Sequence, residues 1–92
     1  MERIVTVVPE DGLHARPASA FVSTAGEFDA AITVAPADGD REPARGDSML
    51  AVTSLGVTGG EDVRITAEGP DAEAALDALE ALLQKPADEL ED

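Results

Sequence analysis

The sequence predicts an α+β fold in which helices cover one face of a four-stranded antiparallel sheet. Three observations carry that expectation. Val63, Ile65 and Ala67 alternate with Asp62, Arg64 and Thr66, the period-two signature of a half-buried strand. Two sets of apolar residues recur at helical spacing: Ala18, Phe21, Val22 and Ala25, then Ala72, Ala75, Leu76, Leu79 and Leu83. The order strand, helix, strand, strand, short helix, strand, helix then gives both long helices one sheet to cover.

Each element has a local reason. Glu2 to Val8 is rich in β-branched residues and stops at Pro9, so it reads as a strand. Glu10-Asp11-Gly12 is a turn. A helix follows from Ala15, with Pro17 acceptable in the first turn, where a missing N–H costs nothing. Gly26 supplies the stop, and Phe28 is placed to pack back on the last turn. Ala31 to Ala35 reads as a second strand, and Pro36-Ala37-Asp38-Gly39-Asp40 is turn chemistry. Arg41 to Arg45 is expected as a weak edge strand, because Pro43 cannot donate to a ladder. Ser48 to Leu55 reads as a short helix with Ser48 as N-cap, and Gly59-Gly60 punctuates before the strand around Ile65. Gly69-Pro70-Asp71 opens the last helix, with Asp71 and Glu73 favourable in its first turn and Lys85 in its last. Residues 1–86 are thus expected to form one domain and 87–92, after Pro86, a frayed acidic tail.

Ninety-two residues leave room for one small core. The hydrophobic fraction of 43% fits a folded chain, but much of it is Ala and Val and only 2% is aromatic, so the core should be thin. The absence of cysteine excludes disulfides, thiolate metal sites and thiol catalysis; no metal or cofactor is expected. The N-terminus lacks the apolar stretch of a signal peptide and no run approaches membrane-spanning length, so the expected location is the cytoplasm. Six basic against twenty acidic residues give a net charge of −14, which argues against nucleic-acid and membrane-surface partners. Such acidity either attracts a basic partner or keeps the protein hydrated in concentrated salt. Glu2, Asp29, Asp47, Asp62, Asp77 and Asp92 are spread along the chain rather than gathered in one patch, which favours salt adaptation.

The single histidine lies between a turn and a helix, in Gly12-Leu13-His14-Ala15-Arg16-Pro17-Ala18. A helix N-terminus favours an anion, because its first N–H groups have no helical partner and its dipole is positive there. Arg16 adds a permanent charge able to grip phosphate oxygens. Imidazole can act as a covalent nucleophile, and a positive helix end favours its neutral form with a free lone pair. The three together form a minimal device for holding a transferable phosphoryl group. A lone histidine at a helix start is more often a cap or a surface residue, so the surrounding motif has to carry the reading.

That motif, with the element order around it, resembles the HPr family, the phosphocarriers of the phosphoenolpyruvate-dependent sugar phosphotransferase system. Ser48-Met49-Leu50-Ala51-Val52-Thr53-Ser54-Leu55-Gly56 is similar to the family's second motif. The resemblance implies an open-faced β-sandwich, with His14 as the phosphorylated histidine, Arg16 as its arginine partner and the amides of Ala15 and Arg16 lining the phosphate. It implies enzyme I as donor, the A component of a sugar-specific enzyme II, including the fructose type, as acceptor, and a monomer that turns over no small molecule. Ser48 falls at a position phosphorylated for regulation in some relatives. A regulatory module, and a carrier serving a dihydroxyacetone kinase, are the alternatives within the family.

The chain departs from the family's basic docking face. Asp47 precedes Ser48 where many relatives have lysine, and would oppose a phosphate there, so Ser48 also reads as a plain N-cap. Ser23, Gly26 and Ala51 lie near further basic positions. Docking is therefore expected to be mainly apolar, through Leu13, Pro17, Met49 and Leu50, with Ala18 and Phe21 as lesser candidates. Phe21 lies in the helix stripe and is better explained as core.

Overall fold

The computed structural model describes residues 1–9, 12–13, 15–38 and 42–85. Strands β1 (Glu2–Thr6), β2 (Ala31–Pro36), β3 (Ala44–Arg45) and β4 (Asp62–Glu68) form an antiparallel sheet in the order β1-β4-β2-β3. Helices α1 (Ala15–Ala25), α2 (Met49–Thr53) and α3 (Ala72–Leu83) cover one face. α3 packs on β1 and β4, and α1 packs between α2 and α3. The other face is open, which gives the expected α+β open-faced sandwich.

The alternation along β4 sorts the two faces. Val63, Ile65 and Ala67 are fully buried, while Asp62, Arg64 and Glu68 are exposed. Register extends the buried rows across the sheet, pairing Val63 with Val5, Ile65 with Val34 and Ala67 with Ile32. Phe21, Leu76, Leu79 and Leu83 come down on these rows from the helices, and Phe28 packs against the same core. Each of these large side chains contributes about 1.5–3 kcal/mol by leaving water. Arg3 lies opposite Ile65 and ties the edge strand β1 to α3, its Nη1 donating to Asp77 at 2.6 Å and Glu80 at 2.9 Å.

Several boundaries differ from the sequence reading. β1 ends at Thr6, not Val8, because the Val7 N–H donates to Glu61 and the Val8 N–H to the Leu83 carbonyl at the end of α3. The third strand keeps only Ala44 and Arg45, which follow Pro43. Helix α3 ends at Leu83, so Lys85 lies beyond its last turn. Asp71 stands at the N-cap of α3 but does not cap it; its carboxylate accepts the Asp29 and Ala30 N–H groups at 2.9 and 2.8 Å, pinning the entry to β2. Ser48 does cap α2, its Oγ accepting the Ala51 N–H at 3.3 Å. The expected turn at Glu10-Asp11, the Gly39-Asp40 turn, the strand start at Arg41 and the tail after Lys85 lie outside the described residues.

Candidate functional site

His14 itself lies outside the described residues, but the chain on both sides of it is fixed. On one side, Gly12 adopts φ +63°, the left-handed region that costs glycine little, and its N–H donates to the Pro9 carbonyl at 2.9 Å. A side chain at Gly12 has no room: a Cβ built there would meet the Val57 carbonyl oxygen at 2.0 Å and the Thr58 Cα at 2.5 Å. Leu13 then donates its N–H to the same Val57 carbonyl at 3.1 Å and buries its side chain completely. On the other side, α1 begins at Ala15. In sequence, His14 follows an anchored, buried residue and precedes the first residue of a helix.

The strip against which Gly12 and Leu13 rest is itself tied down. Gly60 donates to the Val7 carbonyl at 2.7 Å and Val7 to that of Glu61 at 2.8 Å. The Glu61 carboxylate accepts both the Thr58 N–H at 2.6 Å and the Thr58 hydroxyl at 2.9 Å. These bonds, the backbone one first, hold the Glu61 carboxyl below its usual pKa of 4.5. Sequence reading missed the role of this turn, for which Gly59-Gly60 was only punctuation. The signal would have been Thr58 and Glu61 at a three-residue spacing, a short link that many solvated turns also contain.

Ala15 and Arg16 are the first two residues of α1, and Pro17, with no N–H, is the third. The N–H groups of Ala15 and Arg16 therefore belong to the end where the helix dipole is positive. Arg16 is exposed. Neither α1 nor α2 has an acidic residue in its first turn, whereas α3 carries Glu73 there. An anion placed against the start of α1 meets backbone N–H groups, a nearby guanidinium and no carboxylate of that turn.

The docking expectations divide. Met49 and Leu50 are exposed on α2, Leu50 at 79%, and α2 lies alongside α1. Leu13 and Pro17 are corrections: both are buried, Leu13 completely, because the turn around Gly12 rolls the chain inward before the helix starts. Ala18 is also fully buried, and Phe21 is core. Around Ser48, the expected opposition from Asp47 is tempered, since Asp47 pairs with Arg45 through contacts of 3.1 and 3.0 Å. A surface cleft of about 380 Å³ lined by Ala25, Phe28, Ile32 and Arg45 opens at the C-terminal end of α1, the opposite end from Ala15 and Arg16. Among the described residues no cluster of His, Cys, Asp or Glu could hold a metal ion. No helix among them is long and apolar enough to cross a membrane.

Residues 1–85 match the family described as the PTS HPr component phosphorylation site. The chain is similar to the phosphocarrier protein HPr of Haloferax volcanii, at 66% identity over 87 residues covering 94% of this chain and 96% of that protein. It is 45% identical over 89 residues to the phosphocarrier protein HPr of Streptomyces coelicolor, with 97% and 94% covered. The crystal structure of a phosphocarrier protein HPr from Bacillus anthracis superposes with a TM-score of 0.84 at 38% identity, covering 91% of this chain and 96% of that one.

Proposed function

The chain belongs to the HPr family, the phosphocarriers of the phosphotransferase system, and from that premise we propose that His14 accepts a phosphoryl group from phospho-enzyme I and passes it to the A component of a sugar-specific enzyme II. The observation that carries the reading is the anchored chain beside His14: the Gly12 N–H bonded to the Pro9 carbonyl and the Leu13 N–H to that of Val57, with α1 starting at Ala15. A ring nitrogen of neutral His14 attacks phosphorus as the bond from phosphorus to the donor breaks, its electron pair staying with the donor. The same exchange runs in reverse onto the acceptor. No water enters and no phosphate is released, so the group keeps its transfer potential.

Arg16 and the N–H groups of Ala15 and Arg16 carry the charge of the phosphoryl oxygens during both exchanges. Carrying the group between two proteins is the whole activity; the chain turns over no small molecule and acts in the cytoplasm as a monomer. Ser48 is an N-cap, and a phosphate there would have Arg45 within its own short loop as counter-charge.

The experiment is a two-step transfer. The phosphorylated chain, freed of enzyme I, is mixed with purified A components of the sugar-specific enzymes II of the same organism. The reading predicts label moving to at least one of them, with Arg16→Ala slowing the transfer at least tenfold while melting within a few degrees of the wild type. Label that reaches a dihydroxyacetone kinase and no A component would replace the acceptor.

A further inference from the structure

The four-stranded sheet has two edges, and the chain guards them unequally. At β3 the ladder is two residues long and follows Pro43, which has no N–H to offer. Short length and proline both keep foreign strands away from an edge. β1 has neither protection. It holds no proline and no lysine, and its register with β4 runs without a bulge from Glu2 opposite Thr66 to Thr6 opposite Asp62. Its one cation, Arg3, is turned to α3, where Asp77 and Glu80 hold it.

Parity fixes which backbone groups this edge leaves open. Met1 donates to the Ala67 carbonyl at 2.9 Å and accepts from the Ala67 N–H at 2.8 Å, and Val7 donates to Glu61 at 2.8 Å. Hydrogen-bonded pairs alternate along an antiparallel ladder, so Arg3 and Val5 also turn their groups to β4. Glu2, Ile4 and Thr6 turn theirs away from the sheet, and no described residue takes them. The strip ends at Val8, whose N–H goes to the Leu83 carbonyl. Three of the five large apolar side chains exposed among the described residues stand along it: Met1 at 58%, Ile4 at 50% and Val8 at 43%.

Charge decides what fits. Glu2 and Asp62 flank the strip on the open face, and Asp77 and Glu80 on the helix face, against Arg64 and Arg3. A second copy of β1 would bring the same excess of carboxylates and a further net charge of −14. A basic segment is attracted instead.

We propose that the outer edge of β1 docks an extended, basic segment of another protein, which joins the sheet as a fifth strand antiparallel to β1. The inference goes beyond the phosphocarrier reading and does not depend on it. Main-chain bonds to Glu2, Ile4 and Thr6 supply the attachment. Residues of the segment directly opposite these three share their face, so a β-branched apolar residue there meets Ile4. The residues between them point to the helix face, where Asp77 and Glu80 carry two charges to the one of Arg3. Lysine or arginine fits there.

The test titrates the isotopically labelled full chain, in 0.1 M potassium chloride, with a capped seven-residue peptide that alternates lysine and valine. Backbone amide exchange is followed residue by residue. In the free chain Glu2, Ile4 and Thr6 should exchange fast and Arg3 and Val5 slowly; bound peptide should slow the first three at least about tenfold. Glutamate in place of lysine should weaken binding at least about tenfold, a preference that fades towards 2 M salt. N-methylation of the valines, whose N–H groups face β1, should abolish the protection, and N-methylation of the lysines should leave it. Ile4→Lys, which changes an exposed side chain, should weaken binding by about two- to fivefold. Exchange already slow in the free chain, or slowed by protein concentration alone, would give the edge to the chain itself or to a second copy and overturn the proposal. Equal binding of the two peptides at low salt, any other order of the two methylations, or indifference to Ile4→Lys would overturn it too.

Discussion

Replacing Gly12 by alanine tests whether the backbone before His14 is locked as described. The cost has three parts. An L-residue held at φ +63° pays about 1–2 kcal/mol. The new Cβ would lie 2.0 Å from the Val57 carbonyl oxygen and 2.8 Å from its carbon, so backbone rather than a flexible side chain must move. Overfilling of that kind costs about 1–3 kcal/mol, and the Leu13 N–H bond to the same carbonyl adds about 1 kcal/mol if it breaks. The sum, about 3–6 kcal/mol, is a large share of the 5–15 kcal/mol typical of a domain. At roughly 4–8 °C per kcal/mol for a chain of this size, the melting temperature should fall by about 12 °C or more. Gly56→Ala is the matched control: φ is +69°, but nothing lies within 4 Å of its Cβ, so only the first part applies. Thermal melts of the two variants, paired with the rate of phosphorylation by enzyme I, make the assay. If Gly12→Ala costs no more than Gly56→Ala, the close contact with Val57 is not what locks the chain at Gly12 and Leu13.

Three further outcomes follow from the same structure. Leu13→Ala should destabilise the protein by about 2–5 kcal/mol in denaturant titrations, as removal of a fully buried leucine does; a stable variant with weakened enzyme I binding would return Leu13 to the docking surface. Glu61, whose carboxyl titrates below its usual value, adds stability that is present at neutral pH and lost as pH falls below 4.5 through the lowered folded-state pKa. Acid titrations should therefore show Glu61→Gln with a shallower loss than the wild type, and parallel curves would refute the link. Melting temperature should rise steadily from millimolar to molar potassium chloride, because a net charge of −14 repels itself over a Debye length of about 30 Å at 0.01 M and about 3 Å at 1 M. A flat or falling trend would mean that the acidity serves a basic partner.

Periodicity made the fold legible where one face of an element is buried and the other is wet. Val63, Ile65 and Ala67 in β4, and the stripe from Ala72 to Leu83, are of that kind, and the structure keeps them as read. Ends were harder, because they are decided by partners distant in sequence. Val7 and Val8 look like strand, yet their N–H groups go to Glu61 and Leu83. Asp71 looks like an N-cap, yet its carboxylate is claimed by Asp29 and Ala30, some forty residues earlier. At the site, the motif from Gly12 to Ala18 was legible as chemistry because a helix start, a histidine and an arginine are adjacent in sequence. Its packing was not. Leu13 falls outside any stripe and so reads as surface, and only its complete burial in the folded chain shows that it belongs to the core.

The central claim is that one phosphoryl group is carried on His14, and intact-mass measurement tests it most directly. The chain is incubated with enzyme I and phosphoenolpyruvate, then split into samples held briefly in acid or in alkali before weighing. The expected result is a gain of one phosphate that survives alkali and is lost in acid, as expected of a phosphorus–nitrogen bond, and no gain at all in His14→Ala. A phosphate that persists in acid, or one still added to His14→Ala, would contradict it.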